Sequence, residues 1–395
     1  VNHFHYYLCR QLKGGGMEIK MEKNRIICIV VAGMLVLSAC SAPSANQNSD
    51  TTTDQTDSTA IQSETTVAAE ETVVKTEGAN SEMDEYYTFE LSENVNREHV
   101  SYKNRYGITL AGDLYTSKDM DDEKKYPALV IGAPYGGVKE QGPGVWANEL
   151  AQRGFIVLTF DPSYNGYSGG EPRHVSSPEI FSEDFSAGVD FLGVHKNVER
   201  TRIGAVGICG SGGFALSAAQ MDTRIKAVVT ASIVDVSSNS DGMTAEERRT
   251  FLDRIGEQRW ADFEKGDPDY AAVYADEPLT EIPEGLDPLF AEFFTYYGME
   301  RGNHPNADGN FTTTSQAAFM NYSLLGHLET ISPRPVLMIA GENAMTRGMT
   351  EAIYERIGAA KELVIVPDAN HVDLYDDVAK IPFDRIAGFF NEGLK

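Results

Sequence analysis

From about residue 97 the apolar positions fall into short continuous runs separated by longer stretches of helical period. Residues 98–103 and 108–115 flank the turn Asn104-Arg105-Tyr106-Gly107 and read as a leading antiparallel pair. Residues 128–131, 155–160, 203–208, 227–231, 336–340 and 363–366 are apolar without alternation, as strands covered on both faces should be. Helical stretches fall between them at 146–153, 180–194, 213–221, 350–357 and 377–390. Strand and helix repeated at this spacing predict an α/β domain on a doubly wound, mostly parallel sheet.

The rhythm fails once. Between Ser232 and Ile331 no strand pair is expected, and helical patterns at 245–263, 289–297 and 315–328 take over. A segment of about 100 residues is too long for a simple crossover. Residues 232–331 therefore read as a helical lid over the carboxyl ends of the strands, where open α/β sheets take their ligands.

With 395 residues, 42% of them hydrophobic, the chain can form one large domain or two ordinary ones. Lys and Arg number 33 against 59 Asp and Glu, a formal net charge of −26, and no long basic run occurs. Phosphate binding needs clustered cations, so nucleic acid is not expected as a partner. No set of His, Cys and carboxylate at metal-ligand spacing stands out, nor a phosphate loop of the Walker type, and no cofactor is expected.

The N-terminal 40 residues carry an address. Lys20, Lys23 and Arg25 flank an apolar run over 26–37, short of the roughly 20 residues that span a bilayer. The run closes in Leu37-Ser38-Ala39-Cys40, which resembles the bacterial lipobox. Cys40 would then be lipidated and become the mature N-terminus, so an exported protein anchored to the outer face of the cell membrane is expected. Lys13-Gly14-Gly15-Gly16 reads like a translated ribosome-binding site, which points to Met17 or Met21 as the start. Residues 41–85, rich in Ser, Thr, Asp, Gln and Asn, read as a tether too polar to offset its ordering entropy, and residues 86–395 as the folded domain.

Of the four cysteines, Cys9 precedes the expected start, Cys28 lies in the signal core and Cys40 is the lipidation candidate. Cys209 alone remains in the domain, where no disulfide is available to it. It follows the apolar run 203–208 in Ile208-Cys209-Gly210-Ser211-Gly212-Gly213, and a helix of small residues comes next. That is the pattern of a nucleophile elbow, a strand-to-helix turn sharp enough to need small residues two positions to either side of the nucleophile. Cys209 has Gly207 and Ser211 there; Ser211, the alternative nucleophile, has Cys209 and Gly213. The strand ending at Ile208 favours Cys209. At a helix N-terminus beside a histidine, its thiol is expected to titrate below the free value of about 8.5. His371, in Asp368-Ala369-Asn370-His371-Val372-Asp373, stands where the chain order nucleophile, acid, histidine puts the base.

With these features the sequence resembles the dienelactone-hydrolase-like branch of the α/β-hydrolases, which carries Cys where most relatives carry Ser. The resemblance runs from about Tyr106 to Phe390. It includes Pro127-Ala128-Leu129-Val130-Ile131 leading to Pro134-Tyr135-Gly136-Gly137-Val138-Lys139-Glu140-Gln141, then Phe160-Asp161-Pro162-Ser163-Tyr164 with Gly169-Gly170-Glu171-Pro172-Arg173, the elbow, and Asn370-His371. It implies an acid in the turn after residues 336–340, where this chain reads Gly341-Glu342-Asn343-Ala344 and Ala344 holds the usual Asp position. Glu342 is the first candidate for that acid and Asp235 the second. The oxyanion hole should be two backbone N–H groups, one from Gly210 and one from the loop after the first parallel strand. Pro134 has no N–H, so Tyr135 or Gly136 must donate, and Ala133 stands where relatives commonly have His.

The expected chemistry is hydrolysis of a small-molecule carboxylic ester, thioester or lactone through a Cys209 acyl-enzyme, with His371 as general base. Two other readings stay open. An acyltransferase would share the first half-reaction, and a non-catalytic ligand-binding lipoprotein would have kept the fold and lost the acid.

Overall fold

The computed structural model describes residues 86–395 apart from Ala272, Asp276 and Ala359. The expected export signal, Cys40 and the expected tether lie outside the described residues. In chain order the strands are β1 (Val95–Lys103), β2 (Thr109–Ser117), β3 (Tyr126–Gly132), β4 (Ile156–Phe160), β5 (Val198–Ile208), β6 (Ile225–Ala231), β7 (Tyr270–Ala271), β8 (Phe311–Thr312), β9 (Val336–Gly341) and β10 (Lys361–Val366). Eight of them form one sheet in the order β1-β2-β4-β3-β5-β6-β9-β10. β1 pairs antiparallel with β2 and β2 with β4; every pairing from β4 to β10 is parallel.

Burial explains the apolar runs. All of β4 and β9 is buried, and β6 nearly so, whereas the edge strand β1 alternates. Helices α1 (Gly142–Ala151), α2 (Pro178–Val194), α3 (Ser211–Met221), α4 (Ala245–Lys265), α5 (Pro288–Tyr297), α6 (Gln316–Phe319), α7 (Arg347–Arg356), α8 (Asp373–Asp376) and α9 (Phe383–Gly393) complete the fold. The sheet is covered on both faces. A Cβ on Gly204 would meet the ring of Phe390 from α9, and one on Gly132 the ring of Phe185 from α2. Gly132 pairs in register with Gly207, three residues from Gly204 and so on the opposite face of β5.

Two helix expectations change. The stretch 377–390 becomes a turn and then α9, because Pro382 cannot continue a helix and takes the N-cap position. The stretch 315–328 contributes only α6 before a 3₁₀ turn at Leu328–Ile331. Between them the Leu324 N–H turns to the Ser237 hydroxyl at 3.3 Å.

The insertion between β6 and β9 carries α4, α5 and α6, and it also holds one short antiparallel pair, β7 with β8. Two residues in each strand carry too little apolar alternation to register as strands in the sequence. A capping box between Thr244 and Glu247 starts α4, and Gly266 in the left-handed region ends it. Trp146, fully buried in α1, donates its indole N–H to the Leu374 carbonyl at 3.1 Å and so ties α1 to the one-turn helix α8.

Candidate active site

β5 ends at Ile208 and α3 begins at Ser211, so the chain turns within two residues. Cys209 takes the turn at φ 54°, a conformation that costs a non-glycine residue about 1 kcal/mol or more and is kept where the surroundings over-determine it. Its N–H donates to the Ala231 carbonyl at 2.9 Å, and its own carbonyl accepts from Gly212 and Val234 at 2.9 Å each. Gly207 is required because a Cβ there would lie 2.2 Å from the Ser211 carbonyl oxygen. Cys209 therefore occupies the strained elbow position. Ser211 is the first residue of α3, and its buried hydroxyl donates to the Ala133 carbonyl.

The backbone N–H groups of Gly210 and Tyr135 both face the Cys209 sulfur. They lie close together because Gly210 has no side chain: a Cβ there would be 2.6 Å from that of Tyr135. Of the two donors expected in the loop after β3, Tyr135 is the one turned to the sulfur; Gly136 takes a positive φ of 87° and lies against Gly309 of the insertion. Tyr135 is held from three sides. Its hydroxyl meets Ser176 at 2.7 Å, its ring stacks on Phe311 at 4.4 Å, and the Phe319 ring meets it edge-on at 5.9 Å.

His371 follows β10 and is fully buried. Burial takes its imidazole down to about 3, so the ring is neutral at physiological pH. Nδ1 meets the Thr346 hydroxyl at 2.5 Å. Thr346 occupies the N-cap position of α7 without capping it, its oxygen being turned to the imidazole instead. From the insertion, the Glu292 carboxylate accepts the His371 N–H at 2.5 Å and the Val372 N–H at 3.2 Å. The Phe293 ring stands edge-on to the imidazole with centroids 5.1 Å apart.

Neither expected acid reaches the imidazole. Glu342 is exposed, and its carboxylate accepts the Asp368 N–H at 3.1 Å. Asp235 caps the 3₁₀ turn Val236–Ser240, taking the Ser237 N–H at 3.0 Å and the Ser237 hydroxyl at 2.6 Å. The sequence hint toward Thr346 is slight: it is a polar residue two positions past Ala344 in the expected turn. Glu292 carries no sequence signal, since 79 residues separate it from His371.

Nor does the imidazole bond the thiol directly: its two ring nitrogens meet the hydroxyls of Thr346 and Tyr375. The Tyr375 hydroxyl, fully buried, lies 3.0 Å from Nε2 and is near enough to the Cys209 thiol to favour its ionised form. The expected lowering of the thiol is not found. Burial pushes Cys209 up, and Tyr375 and the two backbone N–H groups only partly offset that. The helix N-terminus argument assumed a solvated thiol, whereas Cys209 is only 7% exposed.

The arrangement offers a buried thiol at a strained elbow, two N–H groups beside it and a neutral imidazole reached through a phenol. The family model described as X-Pro dipeptidyl-peptidase (S15 family) matches residues 107–267. Over 315 residues the chain is 48% identical to the uncharacterized protein PA2218 of Pseudomonas aeruginosa, covering 78% of this chain and 83% of that one. The crystal structure of that relative aligns with a TM-score of 0.74 over 78% of this chain and 96% of its own, at 47% identity. Identity to the uncharacterized protein YcjY of Escherichia coli is 33%, over 76% of this chain and 99% of that one. The polyketide transferase grgF of a Penicillium species is 25% identical over 72% of this chain and 93% of its own. The crystal structure of GrgF, described as an alpha/beta hydrolase, aligns with a TM-score of 0.64 and 22% identity, covering 76% of this chain and 99% of that one.

Proposed function

This chain belongs to the α/β-hydrolase superfamily, and we propose that within it the protein is an acyl-transfer enzyme of the dienelactone-hydrolase-like kind, working through a Cys209 acyl-enzyme. The observation that carries this reading is the pairing of a left-handed Cys209 with two backbone N–H groups turned to its sulfur. A carbonyl carbon bonded to that sulfur places its oxygen within reach of the Gly210 and Tyr135 N–H groups, which hold negative charge as it develops. His371 receives the thiol proton and returns it to the leaving group, and water then clears the acyl group. The substrate class is a carboxylic ester, thioester or lactone. The insertion acts as a lid, with α5 lying over His371, and Cys40 carries a lipid that anchors the exported protein to the cell membrane.

A second reading has its own support. Cys209 is nearly buried and His371 wholly so, and a site that excludes water favours transfer to an alcohol, amine or thiol over hydrolysis. The relative grgF is itself named a polyketide transferase. Incubating the full chain with a panel of nitrophenyl esters and acyl thioesters, with and without added acceptors, tests both. Intact-mass spectrometry should show one acyl group on Cys209, and the product ratio separates free acid from transferred acyl. No turnover and no adduct across the panel would overturn the enzymatic reading in favour of a ligand-binding lipoprotein.

A further inference from the structure

Tyr375 stands between the two groups that must exchange a proton. Its hydroxyl lies 3.0 Å from His371 Nε2, and it is near enough to the Cys209 thiol to favour the thiolate. It is held there by packing on every side. The ring meets Tyr296 edge-on at 5.0 Å, Tyr297 at 6.2 Å and His371 at 5.5 Å. The neighbouring carbonyl of Leu374 is fixed by the Trp146 indole. Titratable groups facing the cluster are Tyr274, Tyr296 and Tyr297 together with Glu292, whose charge acts on Cys209 and whose carboxylate binds the His371 backbone.

We propose that Tyr375 is a catalytic residue, the proton relay between Cys209 and His371, an inference that rests on the acyl-enzyme reading above. In the resting site the thiol S–H points to the Tyr375 oxygen, the Tyr375 O–H points to Nε2, and Nδ1–H points to the Thr346 oxygen. When a carbonyl enters, the S–H bond breaks as the sulfur bonds to the carbonyl carbon, and the thiol proton goes to the Tyr375 oxygen. The Tyr375 proton passes to Nε2 in the same movement, leaving a neutral phenol and an imidazolium. Collapse of the tetrahedral adduct runs the chain backwards: Nε2–H gives its proton to the phenol oxygen, and the phenol proton goes to the leaving alkoxide or thiolate.

The electrostatics of the cluster favour a relay over a standing thiolate–imidazolium pair. Burial holds Cys209 above its ordinary value and His371 well below its own, while burial and the neighbouring Cys209 keep the Tyr375 hydroxyl protonated. All three groups rest neutral, so charge forms only as the carbonyl accepts it. Thr346 accepts from Nδ1–H before and after the transfer, which needs no carboxylate to choose the tautomer.

The test compares Tyr375→Phe, Cys209→Ala and 2,3-difluorotyrosine at position 375 in the full chain, using acyl thioester turnover and iodoacetamide labelling of the Cys209 peptide. Loss of the relay should lower kcat by about a hundredfold or more, in the range of general acid–base effects, with little change in KM. The alkylation midpoint of Cys209 should rise in Tyr375→Phe, because a donor to the thiolate is lost. The more acidic fluorinated phenol keeps shape and hydroxyl, so it should restore turnover and move the pH–rate profile toward lower pH. Unchanged kcat and midpoint in Tyr375→Phe, or a fluorinated variant whose profile coincides with the wild type, would overturn the relay. If Cys209→Ala keeps full turnover, the acyl-enzyme reading itself fails; if Cys209→Ala is inactive while Tyr375→Phe is not, only the relay fails.

Discussion

The Thr346 hydroxyl lies 2.5 Å from Nδ1 of His371, where a carboxylate would complete a conventional triad. A neutral partner can fix the orientation and tautomer of the ring, but it adds no charge to stabilise an imidazolium. Thr346→Val should therefore lower turnover by about tenfold to a hundredfold, as loss of a positioning contact does, while Thr346→Ser keeps most of it. Glu342→Gln and Asp235→Asn should leave kcat close to wild type. A large loss in Glu342→Gln would mean that the carboxylate swings to the ring during turnover.

The buried thiol should react slowly. Alkylation of Cys209 by iodoacetamide is expected to show a pH midpoint above the free value of about 8.5, and a bound acyl substrate should protect. Ser211→Ala should leave the labelling in place, since its hydroxyl is committed to the Ala133 carbonyl. A midpoint below the free value would mean that the closed, desolvated site is not the state that reacts.

At Gly210 the constraint is steric. Adding a methyl group would bring it to 2.6 Å from the Tyr135 Cβ, so Gly210→Ala should push the two N–H donors apart. Turnover should fall by about a hundredfold or more, the usual cost of losing one oxyanion donor. Acylation followed by mass spectrometry under single-turnover conditions measures it directly, and an unchanged acylation rate would rule out these two amides as the hole.

Acid stability should depend on His371. Its folded value of about 3 lies below the ordinary 6.5, so between those limits the unfolded chain binds more protons at this ring. Its contribution is fully present above pH 6.5 and is lost as pH falls toward 3, at about 1.4 kcal/mol per pH unit. Between pH 6.5 and 4.5, wild type should lose about 2.5 kcal/mol more unfolding free energy than His371→Gln. Parallel losses, followed by denaturant titration at each pH, would show that the folded ring already carries its proton.

For the anchor, the full chain expressed with its own leader should partition with membranes and incorporate fatty acid, and Cys40→Ala should abolish both. Labelling that persists in the variant would refute lipidation at Cys40.

How far the sequence carries can be judged element by element. The parallel strands inside the sheet, such as β4, β6 and β9, were legible because a strand buried on both faces must be apolar at nearly every position, a constraint local to five or six residues. The elbow was legible for a similar reason: the strained Cys209 and the contact of Gly207 with the Ser211 carbonyl both fall within a few residues. Pro134, which has no N–H, confined one donor of the expected oxyanion hole to Tyr135 or Gly136, and the backbone N–H turned to the sulfur is that of Tyr135.

The partners of His371 obey no local rule. Thr346, Glu292 and Tyr375 reach it from the turn before α7, from the insertion and from α8, and the two nearer ones are 25 and 4 residues away. Which of them meets Nδ1, Nε2 or the backbone N–H depends on how a turn and two helices settle against one another. The resemblance implied a carboxylate and left Glu342 and Asp235 as its candidates, and packing turned both to the Asp368 and Ser237 amides instead. The same packing reversed the expected direction for Cys209, because desolvation, which outweighs the local dipole and hydrogen bonds here, is set by everything folded around the thiol. Sequence determined that a thiol and an imidazole would stand at the ends of two strands; tertiary structure decided that a phenol would stand between them.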